Sequence, residues 1–283
     1  MSRHKILAVC LLSLAAFAAR AAAPALTADQ IVEKNVAARG GLKAWRAVQT
    51  LTLSGKLDAG GKDNNQLPFV MKLKRPNKNR MEIVFNGQTA VQVFDGTQGW
   101  KVRPFLNRGD IEPFTPEQVK SAAAADALDG PLIDYAAKGS KIESAGLDAV
   151  EGHAAYKLKV TSRAGTTRNL WVDANTFLEV KIDGEPRVLD GHPHKVAVYY
   201  RDYQKDQGLA IPHLLETAVE GVKVNHKMVI TQVAVNDAVD DAQFQKPQVA
   251  AVAPLNPVIA APVVASPAAP AAAAAAPAPA KKP

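Results

Sequence analysis

The chain of 283 residues carries 34 Lys and Arg against 27 Asp and Glu, and 47% of its residues are hydrophobic. Five of those cations lie in segments 1–21 and 250–283, which hold no acidic residue. The remaining part of the chain, residues 22–249, therefore has 29 basic and 27 acidic residues. This near-neutral body predicts no nucleic-acid groove, because such grooves need clustered cations. The single cysteine, Cys10, lies in the first segment, which excludes disulfides and cysteine metal sites from the rest.

The first 21 residues have the layout of a secretory signal peptide. Arg3 and Lys5 give a basic start, an apolar run of about 14 residues follows, and Ala19-Arg20-Ala21 is a small-x-small site. The apolar run is shorter than the roughly 20 residues that a membrane-spanning helix needs. We therefore expect cleavage after Ala21, export to the periplasm and no transmembrane segment in the mature, soluble chain.

The next segment predicts two helices. Thr27 and Gln30 have the spacing of a capping box, in which each side chain satisfies a backbone N–H at a helix start. Gly40-Gly41 ends this helix, and a second short helix over Leu42 to Val48 carries Trp45. A third helix is predicted farther on, where Thr115, Pro116 and Gln118 give another start signal before an alanine-rich run to Leu128.

Strands are predicted on both sides of that third helix, because apolar residues alternate with polar ones and turn residues separate the runs. In the first half this pattern extends from Leu51 to Val102, and Asn86-Gly87 is its strongest hairpin turn. In the second half the candidate strands are Tyr156 to Ser162, Thr167 to Asp173, Leu178 to Asp183, Lys195 to Tyr203, Ile211 to Val219 and Val222 to Val235.

These elements predict an α+β, mainly β fold. Roughly ten antiparallel strands form a strongly curved open sheet, an incomplete barrel, and the helices cover its apolar concave face. The predicted organisation is a signal peptide (1–21), one β domain with a helical lid (22–249) and a disordered Ala/Pro-rich tail (250–283). In the tail, dense proline forbids regular structure, and small side chains cannot offset the ordering entropy.

Motifs for catalysis are absent: the sequence has no nucleophile elbow, zinc-binding helix, phosphate loop or dinucleotide fingerprint. His192 and His194 flank Pro193 and are weak candidates for a metal site with Asp190. The same residues are common in hairpin loops for backbone reasons, and we favour that interpretation. His226, on an apolar strand face, is expected to be a hydrogen-bonded core residue. No metal or other cofactor is predicted.

The strand faces hold many apolar residues of medium size and almost no charge. They form either a solid core or the wall of a hollow one, and curled sheets are among the places where such cavities occur. The candidate ligand-binding residues of an apolar cavity are Leu53, Met71, Met81, Ile83, Phe85, Val93, Trp100, Leu158, Val172, Val198 and Met228.

Four stretches occur in an order that resembles the LolA/LolB-like superfamily of outer membrane lipoprotein-sorting proteins. They are Ala38 to Leu42 before Trp45, Leu170 to Asp173, Tyr203 with Gly208 to Pro212, and Asp240 to Phe244 with Pro247. The resemblance implies a curved sheet with a helical lid over an apolar cavity, and a periplasmic carrier of acyl chains that is not an enzyme. It places the lid arginine of such carriers at Arg39 or Arg46.

The leading hypothesis is therefore a non-catalytic periplasmic protein of outer membrane biogenesis that binds and transports a lipid or a lipidated protein. One alternative is an envelope sensor or scaffold that uses the tail as a spacer to an envelope protein. The other is a metal-dependent enzyme that uses the loop with His192 and His194.

Overall fold

The computed structural model describes residues 26–58, 66–104, 108–125 and 128–248. The predicted signal peptide and tail lie outside these ranges. Among the described residues the α-helices are α1 (Ala28–Ala38), α2 (Leu42–Ala47) and α3 (Pro116–Ala124). The strands are β1 (Thr50–Asp58), β2 (Gln66–Lys74), β3 (Lys78–Phe85), β4 (Gln88–Phe94), β5 (Gly99–Arg103), β6 (Arg108–Pro113), β7 (Lys141–Val150), β8 (His153–Thr161), β9 (Thr167–Asp173), β10 (Glu179–Asp183), β11 (Arg187–Leu189), β12 (His192–His194), β13 (Val196–Asp206), β14 (Leu209–Val219) and β15 (His226–Val235).

Thirteen strands form one antiparallel sheet in the order β6-β5-β4-β3-β2-β1-β15-β14-β13-β10-β9-β8-β7, and β11 pairs with β12 in a separate hairpin. The last strand joins the two halves, because β15 pairs with β1 on one side and β14 on the other. Strands β6 and β7 are the two ends of this strand order, so the sheet is open. It is also curved. The predicted fold class is confirmed, with more strands in the sheet than the roughly ten expected.

Strand β7 was missed because it is an edge strand that is exposed along most of its length and has no apolar alternation. The predicted strand Val222 to Val235 is wrong at its start, since a turn at 220–225 delays β15 until His226. The hairpin Asn86-Gly87 is confirmed: both residues have positive φ, 49° and 72°, as a type I′ turn requires.

All three helices lie on one face of the sheet. The capping boxes at Thr27 and Thr115 are both formed, and they start α1 and α3. Helix α1 buries Ile31 and Val32 against the second half of the sheet, and α2 buries Trp45 against the first half. Helix α3 ends at Ala124, before the predicted limit, and buries no residue completely.

Two of the stretches that carry the sequence resemblance contact each other in the structure. The backbone N–H of Ala210 donates to the carbonyl oxygen of Arg39 over 3.1 Å. A Cβ atom on Gly40 would lie 2.6 Å from the carbonyl oxygen of Gly208, and the φ of Gly40 is +111°. Only glycine meets both conditions, so Gly40 fixes the α1–α2 elbow against the β13–β14 turn.

The opposite face of the first half is covered by the end of the described chain. After β15 the chain forms a short 3₁₀-helix, Asp241–Phe244, which begins with the side chain of Asp240 accepting from the N–H of Ala242. Phe244 and Val239 pack there on Val93 and Trp100. Within the described ranges, no helix combines the length and hydropathy that crossing a membrane would require.

Candidate apolar cavity beneath α3

A cavity of about 370 Å³ lies between α3 and the helix-bearing face of the sheet. Strands from both halves of the sheet form its floor, and the segment after β10 closes one side. Its lining residues are Leu57, Met71, Leu73, Asn79, Arg80, Met81, Gln92, Phe114, Glu117, Gln118, Ser121, Ala122, Ala125, Arg168, Ile182, Asp183, Gly184, Glu185, Pro186, Arg187, Val196, Val198, Leu215, Thr217, His226 and Met228.

The floor of the cavity is mostly apolar because strand register aligns apolar residues in rows across the sheet. Met71 and Met81 are direct cross-strand partners, and Met228 is the partner of both Leu57 and Leu215. Side chains that face the same way in adjacent strands lie about 5 Å apart, so each row forms a continuous apolar strip. Methionine has a flexible thioether side chain, so these rows can adapt their shape.

One side of the cavity carries a polar bridge between α3 and the second half of the sheet. The hydroxyl of Ser121, on α3, donates to Glu185 in the segment after β10. Arg168, on β9, donates to the same Oε1 atom of Glu185 over 2.7 Å. All three side chains line the cavity. We call this group the α3 bridge; it connects the helix to the second half of the sheet by hydrogen bonds that solvent reaches.

Further polar contacts position α3. The side-chain amide of Asn77 donates to the carbonyl oxygens of Ala122 and Ala123, and the ammonium of Lys101 donates to Gln118 over 3.0 Å. The helix is therefore positioned by hydrogen bonds at its sides and end, while the apolar space beneath it is unfilled. Such an arrangement allows the helix to shift without the loss of a packed core.

A buried polar junction lies deeper, where α1 meets the segment 128–139. Arg39 donates from Nη1 to the carbonyl oxygen of Asp129 over 2.9 Å and to Glu179 Oε1 over 3.1 Å, and its guanidinium stacks on Trp45. Tyr203 donates to the carbonyl oxygen of Glu179 over 3.0 Å. Burial, together with the charge of Glu179, raises the pKa of Tyr203 well above its usual value, which keeps the phenol neutral and able to donate.

Both arginines that the resemblance offered as the lid arginine contact the segment 128–139. Arg39 is buried and binds the backbone of Asp129, whereas Arg46 is exposed and pairs with Asp134 over 2.6 Å. The guanidinium of Arg46 lowers the pKa of Asp134, first by its hydrogen bond and then by its charge. Arg39 holds the segment from beneath, and Arg46 holds it at the surface.

The structure brings four of the eleven candidate cavity residues to the cavity wall: Met71, Met81, Val198 and Met228. Leu53 and Ile83 face the same side of the sheet and belong to the same apolar cluster as Met71, but they do not line the cavity. Phe85 is half-buried at the end of β3 and does not line the cavity. Whether any of them contacts a ligand remains a prediction.

Leu158 and Val172 lie under α1 instead of in the open part of the sheet. They are completely buried with Ile31 and Leu132 in a separate apolar cluster. Helix α1 covers this part of the sheet, so the two residues belong to a solid core. The unfilled space lies in the remaining part of the face, beneath α3.

Val93 and Trp100 lie on the face away from the cavity, which corrects their predicted position. They are direct cross-strand partners, and the adjacent pair, Gln92 and Lys101, faces the helices. The alternation in β4 is misleading because both of its faces are covered, one by the helices and the other by Val239 and Phe244.

The histidines do not form a metal centre in the part of the chain that the structure describes, where no three His, Cys, Asp or Glu side chains cluster suitably. His192 is exposed in the β11–β12 hairpin, and Nδ1 of His194 lies 2.8 Å from the carbonyl oxygen of Glu220.

His226 is not the core residue that was expected: it is half-buried and lines the cavity. The buried histidine is His213, which contacts Asp206 over 2.8 Å.

Sequence reasoning missed the polar residues of the cavity. Ser121, Arg168 and Glu185 are distant in sequence and have no common motif, so only the fold brings them together. Gln92 had a detectable signal, because it interrupts an apolar strand. It faces inward beside Met81, and the polar position of β4 was assigned to the wrong face.

Neither a protein-family model nor a curated protein matches this sequence. Solved structures do match. A LolA superfamily protein from Nitrosomonas europaea is 15% identical with a TM-score of 0.51, and the match covers 78% of this chain and 99% of that one. A DUF1329 family protein from Desulfovibrio piger is 13% identical with a TM-score of 0.51, covering 77% of this chain and 97% of that one. At these identities the likeness concerns the fold alone, and the protein has a LolA-like fold.

Proposed function

We propose that the protein is a non-catalytic carrier that binds the acyl chain of a lipid or a lipidated protein in the cavity beneath α3. The observation that carries this proposal is a cavity of about 370 Å³ with a mostly apolar floor, which no side chain of the described chain fills. Each buried methylene of an acyl chain contributes roughly 0.8 kcal/mol, so a long chain binds without charged contacts. The LolA-like fold and the resemblance to acyl-chain carriers support the same function.

The polar residues around the cavity suit a ligand with one polar end. The floor is apolar at Met71, Met81 and Met228, whereas Arg168 and Glu185 lie at the side. A hydrocarbon chain on the floor would leave its polar end at the α3 bridge, where charged side chains and water solvate it. We infer that the ligand is an amphiphile and not a purely apolar molecule.

The binding proposal is tested by titrating the purified protein with a fluorescent fatty acid. Met81→Glu places a charge on the apolar floor and is expected to weaken binding at least about ten-fold, because a carboxylate loses hydration beside an acyl chain. Val84→Glu is the matched control, since Val84 lies on the same strand but does not line the cavity. Equal binding by the wild type and Met81→Glu would contradict the proposal.

Mass spectrometry of the native protein gives an independent measurement. The protein is purified from its own cell envelope and extracted with organic solvent. We expect an acyl-bearing molecule in stoichiometric amount with the wild type and with Val84→Glu, and much less with Met81→Glu. Repeated absence of any acyl-bearing molecule from the wild type would rule out a resident lipid ligand.

We also propose that the protein acts in the periplasm after removal of residues 1–21. The basic start, short apolar run and Ala19-Arg20-Ala21 site support export. Intact-mass measurement of the periplasmic protein should give a chain that begins at Ala22. Recovery of the full-length chain from the cytoplasm would contradict export.

A further inference from the structure

Three exposed valines lie in two connections at one end of the sheet. The exposed fractions are 70% for Val188, 39% for Val222 and 55% for Val224. Among the described residues only two other large apolar side chains are comparably exposed, Leu147 and Val229. Single exposed apolar residues are ordinary, but a group of them marks a surface that contacts a partner or a membrane.

The two connections that carry the valines contact each other. Val188 lies in the β11–β12 hairpin, and Val222 and Val224 lie in the turn between β14 and β15. The carbonyl oxygen of Glu220 in the turn lies 2.8 Å from Nδ1 of His194 in the hairpin. Glu220 also accepts from the backbone N–H of Lys195 over 3.2 Å. We call the two segments, 187–195 and 220–227, the valine rim.

The valine rim adjoins the cavity. Arg187, Val196 and His226 line the cavity, and each of them lies within the rim or next to it in sequence. Thr217 and His226, which are direct cross-strand partners, form the last row of the cavity floor before the turn. A molecule that enters or leaves the cavity at this end of the sheet passes the exposed valines.

The charge of the valine rim is positive. Its basic residues are Arg187, Lys195, Lys223 and Lys227, against the acidic Asp190 and Glu220. Lys195 and Lys223 are exposed beside the valines. Valine side chains flanked by lysines match the boundary of an anionic bilayer, where apolar groups enter the acyl region and each lysine attracts the negative surface.

We propose that the valine rim docks on the surface of an anionic lipid bilayer and turns the cavity towards the membrane. This inference goes beyond ligand binding, because docking requires only the rim and can be measured with an empty cavity. A second copy of the chain is the competing occupant of the rim, and the experiment distinguishes it from a membrane.

Hydrogen bonds at the base of the rim are left intact by substitutions of its exposed side chains, so we expect such variants to fold. Asn225 donates to Glu216 Oε1 over 2.9 Å, and Arg201 donates to Glu216 Oε2 over 2.8 Å. The hydrogen bond from Asn225, followed by that from Arg201, lowers the pKa of Glu216, so its carboxylate is charged at neutral pH. The three exposed valines, Lys195 and Lys223 make none of these hydrogen bonds.

Docking is measured by flotation of the mature protein with vesicles of phosphatidylglycerol and phosphatidylcholine, and with vesicles of phosphatidylcholine alone. We expect the wild type to bind the anionic vesicles and to release them at high salt. The triple variant Val188→Ser, Val222→Ser, Val224→Ser should bind at least about ten-fold more weakly, because its apolar contacts are lost. The variant Lys195→Glu, Lys223→Glu should bind at least about 30-fold more weakly, since each cation near the surface contributes about five-fold.

Matched controls come from the far edge of the sheet. Leu147→Ser removes an apolar side chain that is 67% exposed, and Lys141→Glu reverses an exposed charge, both on β7 and outside the rim. Both variants should bind vesicles like the wild type. Circular dichroism and fatty-acid titration of every variant verify that fold and cavity are retained.

The outcomes separate the proposals. Absence of vesicle binding by the wild type, or equal loss in Leu147→Ser and the valine variant, overturns membrane docking. It is also overturned if light scattering shows a dimer that the valine variant disrupts and vesicles do not bind. Vesicle binding without fatty-acid binding would leave docking intact and contradict only the carrier function.

Discussion

At the scale of single residues, the buried pair Arg39 and Glu179 is the most sensitive point of the fold. Both side chains are almost fully buried, with Nη1 and Oε1 3.1 Å apart. Removal of one partner leaves the other charge desolvated, which costs about 3–5 kcal/mol, while replacement of both by apolar residues is often neutral. Substitution of only one of the two residues is therefore expected to destabilise the fold strongly.

Arg39→Met is accordingly expected to lower the free energy of unfolding by about 3–5 kcal/mol. The double variant Arg39→Met, Glu179→Leu should recover most of that loss, because no buried charge remains. Urea denaturation followed by circular dichroism measures both. An additive effect of the two substitutions would show that the pair is not coupled.

The sequence identified some of these residues but not their partners. Arg39 was one of two candidates for the lid arginine, with Arg46, and the structure places it in the buried junction. Glu179 has no local pattern that marks it as buried, because it is a charged residue at the first position of β10. Its role depends on a contact across 140 residues, which periodicity does not reveal.

At the scale of elements, α3 is the helix most easily displaced. It has no completely buried residue, whereas α1 and α2 anchor Ile31 and Trp45 in the core. Its attachment to the second half of the sheet includes the α3 bridge of Ser121, Glu185 and Arg168. Helices held mainly by solvent-accessible hydrogen bonds open locally at low free energy.

We therefore expect the backbone amides of α3 to exchange with deuterium faster than those of α1. Glu185→Ala removes the acceptor of the α3 bridge and should accelerate exchange in α3 about five-fold, as the loss of roughly 1 kcal/mol implies. Glu143→Ala is a matched control, because Glu143 pairs with Lys159 on the distant β7–β8 edge. Identical exchange in α3 for the wild type and Glu185→Ala would show that the bridge does not restrain the helix.

The elements themselves were predicted where local chemistry determines them. The caps at Thr27 and Thr115 and the Asn86-Gly87 turn follow from hydrogen bonding and φ preferences of neighbouring residues. The orientation of β4 was not predictable from its own alternation, because distant residues 239–244 cover its second face. To predict which face of β4 points towards the helices, one would have to know where the chain runs after β15.

At the scale of the whole molecule, the helix-bearing face of the sheet is packed beneath α1 and α2 and unfilled beneath α3. Helix α1 covers part of the second half with Ile31 and Val32, whereas strands of both halves form the floor of the cavity beneath α3. The sequence predicts a curved sheet with helices on one face, but it does not predict how much space they leave. That space depends on helix position, which strand periodicity does not specify.

The chain after β15 crosses the back of the sheet, and the last described residue, Gln248, follows directly from that crossing. Anything attached at this point starts behind the sheet, on the face opposite the three helices. An affinity tag, a fluorophore or a surface-coupling group placed there would begin on the face opposite the cavity. Immobilisation through that position is thus the orientation of choice for measuring the exchange of lipid between this protein and a membrane.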